Sequence, residues 1–253
     1  MNCNKETLEQ HTVLKVLAGS RAYGTDNPES DYDYRSIVLL PPEDLLSFNP
    51  FETHQVINGD EDCTYYSLRK AILLLSVCNP HMLEMLWADS PIISNAVGET
   101  LVANRKKFLS KQVRHSFLTG AISMMKRAQN STYYRANYVV HALRLAYACL
   151  DIVRTGEFCV RAYDITRLKS IKAGEYRPTI AQVLAELRAI EAVVLTELDT
   201  SPLPDKVDRD FVEDLFINIT REHICKKPSN ASSAYLTPRF MQWGDAYATM
   251  LLD

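Results

Sequence analysis

The apolar residues of this chain change their spacing once, and that change limits what the chain can fold into. Up to about residue 68 they form short β-prone runs broken by turn residues, and from residue 79 onward they recur every three to four positions. Residues 12–19 are rich in β-branched and leucine residues and stop at Gly-Ser. Residues 32–40 form a second run ending at Pro41-Pro42, which cannot continue a central strand. Residues 53–57 and 61–68 flank Asn58-Gly59, a pair suited to a tight primed turn, so a hairpin is expected and with it three or four strands. Asn79-Pro80 sets a capping side chain before a proline at the first helical position. Apolar stripes predict helices over 108–129 and 136–155, the second stopping before Gly156. Thr179 and Gln182 have the spacing of a capping box opening a helix to about residue 199. Asp208 can cap another through residue 224, and from Pro228 the tail reads as a loop before a last short helix. The fold class expected is α+β: a small mixed-sheet core over residues 1–100 and a helical region over 101–253. No flexible linker separates them, so they are expected to pack around a shared cleft.

With 253 residues, 47% of them apolar, the chain can bury a real core, and its 8 Gly and 11 Pro exclude a collagenous or low-complexity chain. No run of about 18 apolar residues occurs and the N-terminus lacks a signal-peptide layout, so a cytoplasmic protein without a membrane segment is expected. The six cysteines, Cys3, Cys63, Cys78, Cys149, Cys159 and Cys225, include no CxxC pair; they read as reduced core residues rather than a disulfide frame or zinc site. The net charge of −3 hides an asymmetry: −9 over residues 1–100, +11 over 101–190 and −5 over 191–253. An acidic block beside a basic one suits carboxylates holding metal ions while a facing surface attracts phosphates; it equally suits two solvated faces that attract each other.

The chemistry is concentrated in residues 17–35. Gly19-Ser20 follows the first strand, and Asp31-x-Asp33 opens the next one, eleven residues after Ser20. Side chains alternate along a strand, so Asp31 and Asp33 share a face and repel each other unless a divalent cation neutralises them. Oxygen-only ligands favour magnesium or manganese over zinc. Gly19 lets the backbone approach a phosphate closely, and the amides near Ser20 with its hydroxyl can donate to phosphate oxygens. A third carboxylate is needed to hold two metals about 4 Å apart for phosphoryl displacement. Asp60, Glu61 and Asp62 are its source; Asp62, which enters the run Cys63-Thr-Tyr-Tyr beyond the turn, is best placed to face Asp31 and Asp33 and to help remove a proton from an acceptor hydroxyl.

Gly19-Ser20 followed by Asp31-x-Asp33 resembles the signature of the DNA polymerase β nucleotidyltransferase superfamily. Gly-Ser-Arg-Ala-Tyr-Gly (19–24), Pro28-Glu-Ser-Asp-Tyr-Asp33 and Tyr66-Ser-Leu-Arg-Lys70 are similar to its RNA-repair-pathway branch, the RNA-ligase-adjacent proteins. Asn79-Pro80 with Leu83-Glu84-Met-Leu86, and His141-Ala-Leu-Arg144 with Ile171-Lys-Ala-Gly174, are similar to it too, so the resemblance spans roughly residues 14–175. It implies a nucleotidyltransferase core and magnesium-dependent transfer of a nucleoside monophosphate from a nucleoside triphosphate (NTP, ATP among them) to an acceptor, RNA in a repair or end-modification pathway, with an RNA-ligase pathway partner. Position by position, Asp31 and Asp33 become metal ligands, Asp62 the third acid, and Gly19 and Ser20 the triphosphate contacts. Other branches imply nucleotidylylation of a protein or small molecule; a non-catalytic nucleotide or RNA sensor with the same pocket is the remaining reading.

Several residues carry two readings. Arg21 and Arg35 can reach phosphates or pair with acids such as Glu29 or Asp44. Tyr23 can stack on a base or pack, and Ser30 can cap the turn and orient Asp31 beside bound nucleotide. His141 and Arg144 share a helix face and can contact phosphate or acceptor, although a lone helix histidine is commonly a packed or solvated one. Tyr133, Tyr134 and Tyr138 around Arg135 can stack on single-stranded bases or simply open an amphipathic helix. Arg105, Lys106, Lys107, Lys111 and Arg114 form either a nucleic-acid patch or a solvated helix face, and Glu84 reads as a structural helix residue.

Overall fold

A computed structural model describes residues 4–131 and 134–225. Cys3, Tyr133 and the tail from Pro228 lie outside the described residues. The chain divides into two compact units, Met1–Ile219 and Thr220–Asp253, and every strand among the described residues lies in the first.

In chain order the elements are α1 (Lys5–Gln10), β1 (Thr12–Leu17), α2 (Gly19–Tyr23), β2 (Tyr32–Val38), α3 (Pro42–Leu45), β3 (Thr53–Asn58) and β4 (Glu61–Ser67). Then come α4 (Leu68–Leu75), α5 (Pro80–Leu86), β5 (Ile93–Ser94), α6 (Ala96–Ala103), α7 (Val113–Gln129), α8 (Ala136–Thr155), α9 (Ile165–Ala173), α10 (Ile180–Glu197) and α11 (Arg209–Cys225). The strands form one mixed sheet in the order β3-β4-β2-β1-β5, so the chain is α+β as expected. Every neighbouring pair is antiparallel except β2 and β4. The Asn58-Gly59 hairpin turn is present, with Gly59 left-handed at φ +60°. The chain returns through α3 and β3 before β4 can lie parallel to β2, and that return brings the acidic start of β4 beside Asp33.

Helix starts coincide with the capping residues. Asn79 accepts from the His81 and Met82 amides, and Thr179 and Gln182 form the reciprocal capping box. Phe117, Leu118, Ala121 and Met125 of α7 pack with Val139, Leu143, Ala146 and Leu150 of α8 in a core that also takes Leu14, Val16, Ile37 and Leu68. Each large apolar side chain so buried contributes about 1.5–3 kcal/mol, against about 0–1 kcal/mol for a surface ion pair, so this core and not the charge asymmetry holds the helices together.

Some expectations change. β5 has only two residues, and the first stripe begins at Val113 because a tight 3-10 turn, Arg105–Phe108, precedes it. Cys63, Cys78 and Cys149 are buried free thiols, but Cys159 and Cys225 are exposed, because one lies on the loop after α8 and the other at the end of α11. Among the described residues no helix is long and apolar enough to cross a membrane.

Candidate active site

Gly19 opens α2 with a left-handed φ of +63°, and a Cβ added there would lie 1.7 Å from Asp33 Oδ2. Only glycine leaves room for that carboxylate, which therefore sits against the turn between β1 and α2. The Ala18 amide donates to the Asp33 carbonyl at 2.8 Å and locks the two segments together. No side chain caps α2, so its first amides have no intrahelical acceptor.

In the parallel β2–β4 ladder Asp33 stands opposite Asp62. Asp62 Oδ2 accepts from Gln55 Nε2 at 2.6 Å, while its Oδ1 is buried with no partner. Burial, followed by the Asp62 and then Asp31 carboxylates, pushes the Asp33 carboxyl above its ordinary value against the opposing pull of Arg35 and Lys172. The other two acids of the trio have different partners: the Asp60 carbonyl accepts from the Tyr32 amide, and Glu61 lies 3.9 Å from Lys5. Asp31 is exposed just before β2. Among the described residues no three His, Cys, Asp or Glu side chains are grouped closely enough to hold a metal ion as they stand. An orphaned buried carboxylate oxygen beside a carboxyl raised by burial and by like charge is nevertheless an oxygen-only environment that fits a hard divalent cation.

The loop between α2 and β2 is strapped from two sides. Arg21 donates to the Ser30 carbonyl at 2.6 Å and the Asp31 carbonyl at 3.3 Å, lies 3.8 Å from Asp26, and stacks 3.9 Å over the Tyr32 ring. Ser30 Oγ donates to Asn27 Oδ1 at 2.8 Å. Arg21 and Ser30 thus hold the loop that carries Asp31. From α9, Lys172 Nζ donates to the Thr25 carbonyl and to Ser30 Oγ, each at 3.3 Å. Burial lowers the Lys172 ammonium, against the pull of Asp26, Asp33 and Asp31. Lys172 is a site residue that residue-type reasoning missed; its signal was a lysine two positions before the left-handed Gly174.

A cavity of about 370 Å³ opens beside Gly19 and Asp33, closed by Ser116, Gly120 and Met124 of α7 and by His141 and Arg144 of α8. Residues of β2 and of α7 and α8 thus line the same cavity. Beneath it is a buried charge cluster. Glu84, 3% exposed, accepts from Tyr23 Oη at 2.9 Å and from Arg35. Arg144 Nη1 lies 2.7 Å from Glu84 Oε1 but off the hydrogen-bonding direction, so Nε, Nη1 and Nη2 of Arg144 have no acceptor. The Arg144 guanidinium also stacks 3.6 Å over Tyr23. Burial would raise the Glu84 carboxyl, yet Arg144 and Arg35 outweigh it and hold Glu84 well below its ordinary value. Two guanidiniums face the Glu84 carboxylate, and the Asp33 carboxylate lines the same cavity. Arg35 therefore pairs with neither Glu29 nor Asp44. Glu84 is far more than a helix residue, and the signal was an acid inside the run Met82-Leu-Glu-Met-Leu86. Burial and then Arg144 bring the His141 imidazole down to about 4, so it is neutral near pH 7 and meets Tyr23 edge-on at 6.0 Å.

Residues 3–218 match the model of the family described as RlaP, RNA repair pathway DNA polymerase beta family. The chain belongs to that family. Among its relatives, an uncharacterized 38.9 kDa protein from the nrdC-mobD intergenic region of enterobacteria phage T4 is 29% identical over 117 residues, 41% of this chain and 34% of the phage protein. The chain thus matches about a third of that relative's length. A nucleotidyltransferase-like protein from Exiguobacterium sibiricum 255-15 aligns with 98% of this chain and 86% of its own at 10% identity, with a TM-score of 0.30, too low to carry an argument.

Part of the basic segment of this RlaP chain is neutralised within the fold. Lys106 pairs with Glu157, Lys111 with Asp205 at 2.8 Å, and Arg114 with Glu191 at 3.3 Å. Arg105 lies 5.3 Å from the Trp87 ring and Lys107 5.6 Å from that of Phe211. Arg154 is bidentate to Glu197, and Arg167 to Glu186. Most of the cluster from Arg105 to Arg114 thus meets acids and rings of the chain itself. Tyr138 packs against the core, whereas Tyr134 stays exposed.

Proposed function

We propose that this protein transfers a nucleoside monophosphate from NTP to an RNA acceptor in a metal-dependent reaction of the EC 2.7.7 type. The observation that carries the reading is the placement of Asp33 opposite Asp62 on parallel strands, with the Asp33 carboxylate filling the space that Gly19 leaves. Asp31, Asp33 and Asp62 would hold magnesium or manganese, which when bound supplies positive charge at the reacting phosphate. The Ser20 hydroxyl and the first amides of α2 donate to the polyphosphate. Arg144 and Arg35, both ion-paired with Glu84 and both lining the cavity, receive the anionic tail. Neutral His141 offers a hydrogen bond rather than a charge. Asp62 accepts the proton of the acceptor hydroxyl as its oxygen bonds the α-phosphorus and pyrophosphate departs. Residues 1–100 supply the carboxylates together with Ser20, the α2 amides and Arg35, and the helices after 101 add His141 and Arg144.

The test is transfer of label from an α-labelled NTP to RNA ends with magnesium or manganese. Asp33→Asn and Asp62→Asn are expected to lower transfer by at least about a hundredfold while the protein stays folded. Label landing on a protein of an extract, or NTP binding without transfer to any RNA end, would overturn the RNA-acceptor reading.

A further inference from the structure

Beyond the cavity, α9 meets the motif loop and is flanked by exposed tyrosines. One side of α9 faces the loop: Lys172 reaches Thr25 and Ser30, and a Cβ on Gly24 would meet Ile165 and Arg161 within 3.2–3.5 Å. Exposed rings flank α9 in the chain, Tyr163 before its start and Tyr176 after its end. Tyr163, 58% exposed, stacks on Tyr147 of α8 with centroids 4.8 Å apart. Tyr147 donates to Glu186 at 2.8 Å, and Glu186 also holds Arg167, which reaches to 6.0 Å from the Tyr176 ring. Tyr176 is 43% exposed, and Tyr134 has both Arg177 and Tyr176 as electrostatic neighbours. Tyr134 is itself 37% exposed.

These rings are flanked by unneutralised charge. Arg161, Lys169 and Arg177 are exposed and make no ion pair with a carboxylate among the described residues, unlike Lys106, Lys111, Arg114, Arg154 and Arg167. A helix of nine residues spans about 13 Å, so the row runs the length of a few nucleotides. One end lies close to the catalytic loop, because Lys172 and Tyr176 are four residues apart and Lys172 touches the segment that presents Asp31. Exposed rings interleaved with free cations are what a single strand needs: each base has a face to stack, and each phosphate a cation to meet. A duplex hides those faces.

We infer that the Tyr163–Tyr176–Tyr134 row with Lys169 and Arg177, leading to Arg161 beside Gly24, is the track along which single-stranded RNA reaches the catalytic loop. The inference rests on the nucleotidyltransferase reading of the Asp31–Asp33–Asp62 site. The substrate class it assigns is an RNA end with an unpaired tail rather than a blunt duplex.

The experiment uses the full chain with a fluorescein-labelled unstructured oligoribonucleotide and a matched duplex, read by anisotropy over a salt series, with NTP affinity measured in parallel. The wild type is expected to prefer the single strand. The double variant Tyr134→Ala/Tyr176→Ala is expected to weaken it about tenfold, and Lys169→Ala/Arg177→Ala to reduce the slope of log affinity against log salt by about 0.7 per cation. NTP affinity should be unchanged in all, since none of these side chains lines the cavity. Single-strand binding that survives both variants, equal binding of the duplex, or no RNA binding by a protein that binds NTP would overturn the track. If RNA binding falls as expected but NTP is not bound, the track stands and the nucleotidyltransferase reading fails.

Discussion

At Gly19 two constraints fall on one residue. A left-handed φ costs an L-residue about 1–2 kcal/mol, and the added methyl would occupy the place of Asp33 Oδ2. Gly19→Ala is therefore expected to swing the Asp33 carboxylate away and lower transfer by at least about a hundredfold, with only a modest loss in thermal midpoint; unchanged transfer would show that the close approach is dispensable. His141 gives a pH signature. Its imidazole titrates near 4 in the folded protein and near 6.5 when unfolded, so between those values the unfolded chain binds more protons. Its contribution is fully present above about pH 6.5 and is lost as pH falls toward 4, up to about 3 kcal/mol. Urea midpoints measured from pH 7 to 4 should fall less steeply in His141→Gln than in the wild type.

At the scale of elements, long helices announce themselves and short ones do not. α8 and α10 were legible because 20 and 18 residues hold several turns of apolar period and their ends carry Gly156 or the Thr179–Gln182 box. The box makes a direct prediction: Thr179→Ala removes the acceptor of the Gln182 amide, costs about 1 kcal/mol and lowers the thermal midpoint by a few degrees. α2 and β5, five and two residues long, show no period, so nothing local marks them. α2 exists because Tyr23 is buried onto Glu84 and because left-handed Gly24 ends it. α9 was missed for a related reason. Only Leu168 and Ile171 are buried along it, and its cap, Asp164, adopts an unusual left-handed φ of 48°.

Across the whole molecule, the Glu84 cluster joins β2, α2, α5 and α8 through one carboxylate. Replacing Glu84 with Gln leaves two guanidiniums buried without a counter-charge, and breaking such a pair costs about 3–5 kcal/mol. Glu84→Gln should lower the urea midpoint accordingly, and adding Arg144→Met should recover part of the loss. Strict additivity of the two changes would mean that the residues are not coupled. The same scale explains the charge asymmetry. The basic helices find their acids in residues 186–205 and at Glu157, while Arg35 and Arg144 find theirs in Glu84.

The period change, the caps and the Gly-Ser to Asp-x-Asp spacing were determined by sequence alone, because each is a relation between residues a few positions apart on one strand or helix. The tertiary structure alone decided which acid stands opposite Asp33 and which residue joins Arg35 to Arg144. The first depends on how β4 returns parallel to β2, 29 residues further along the chain, and the second on contacts 49 and 60 residues apart. No local pattern encodes such contacts, because many distant pairings bury similar amounts of apolar surface and only the packed whole selects among them.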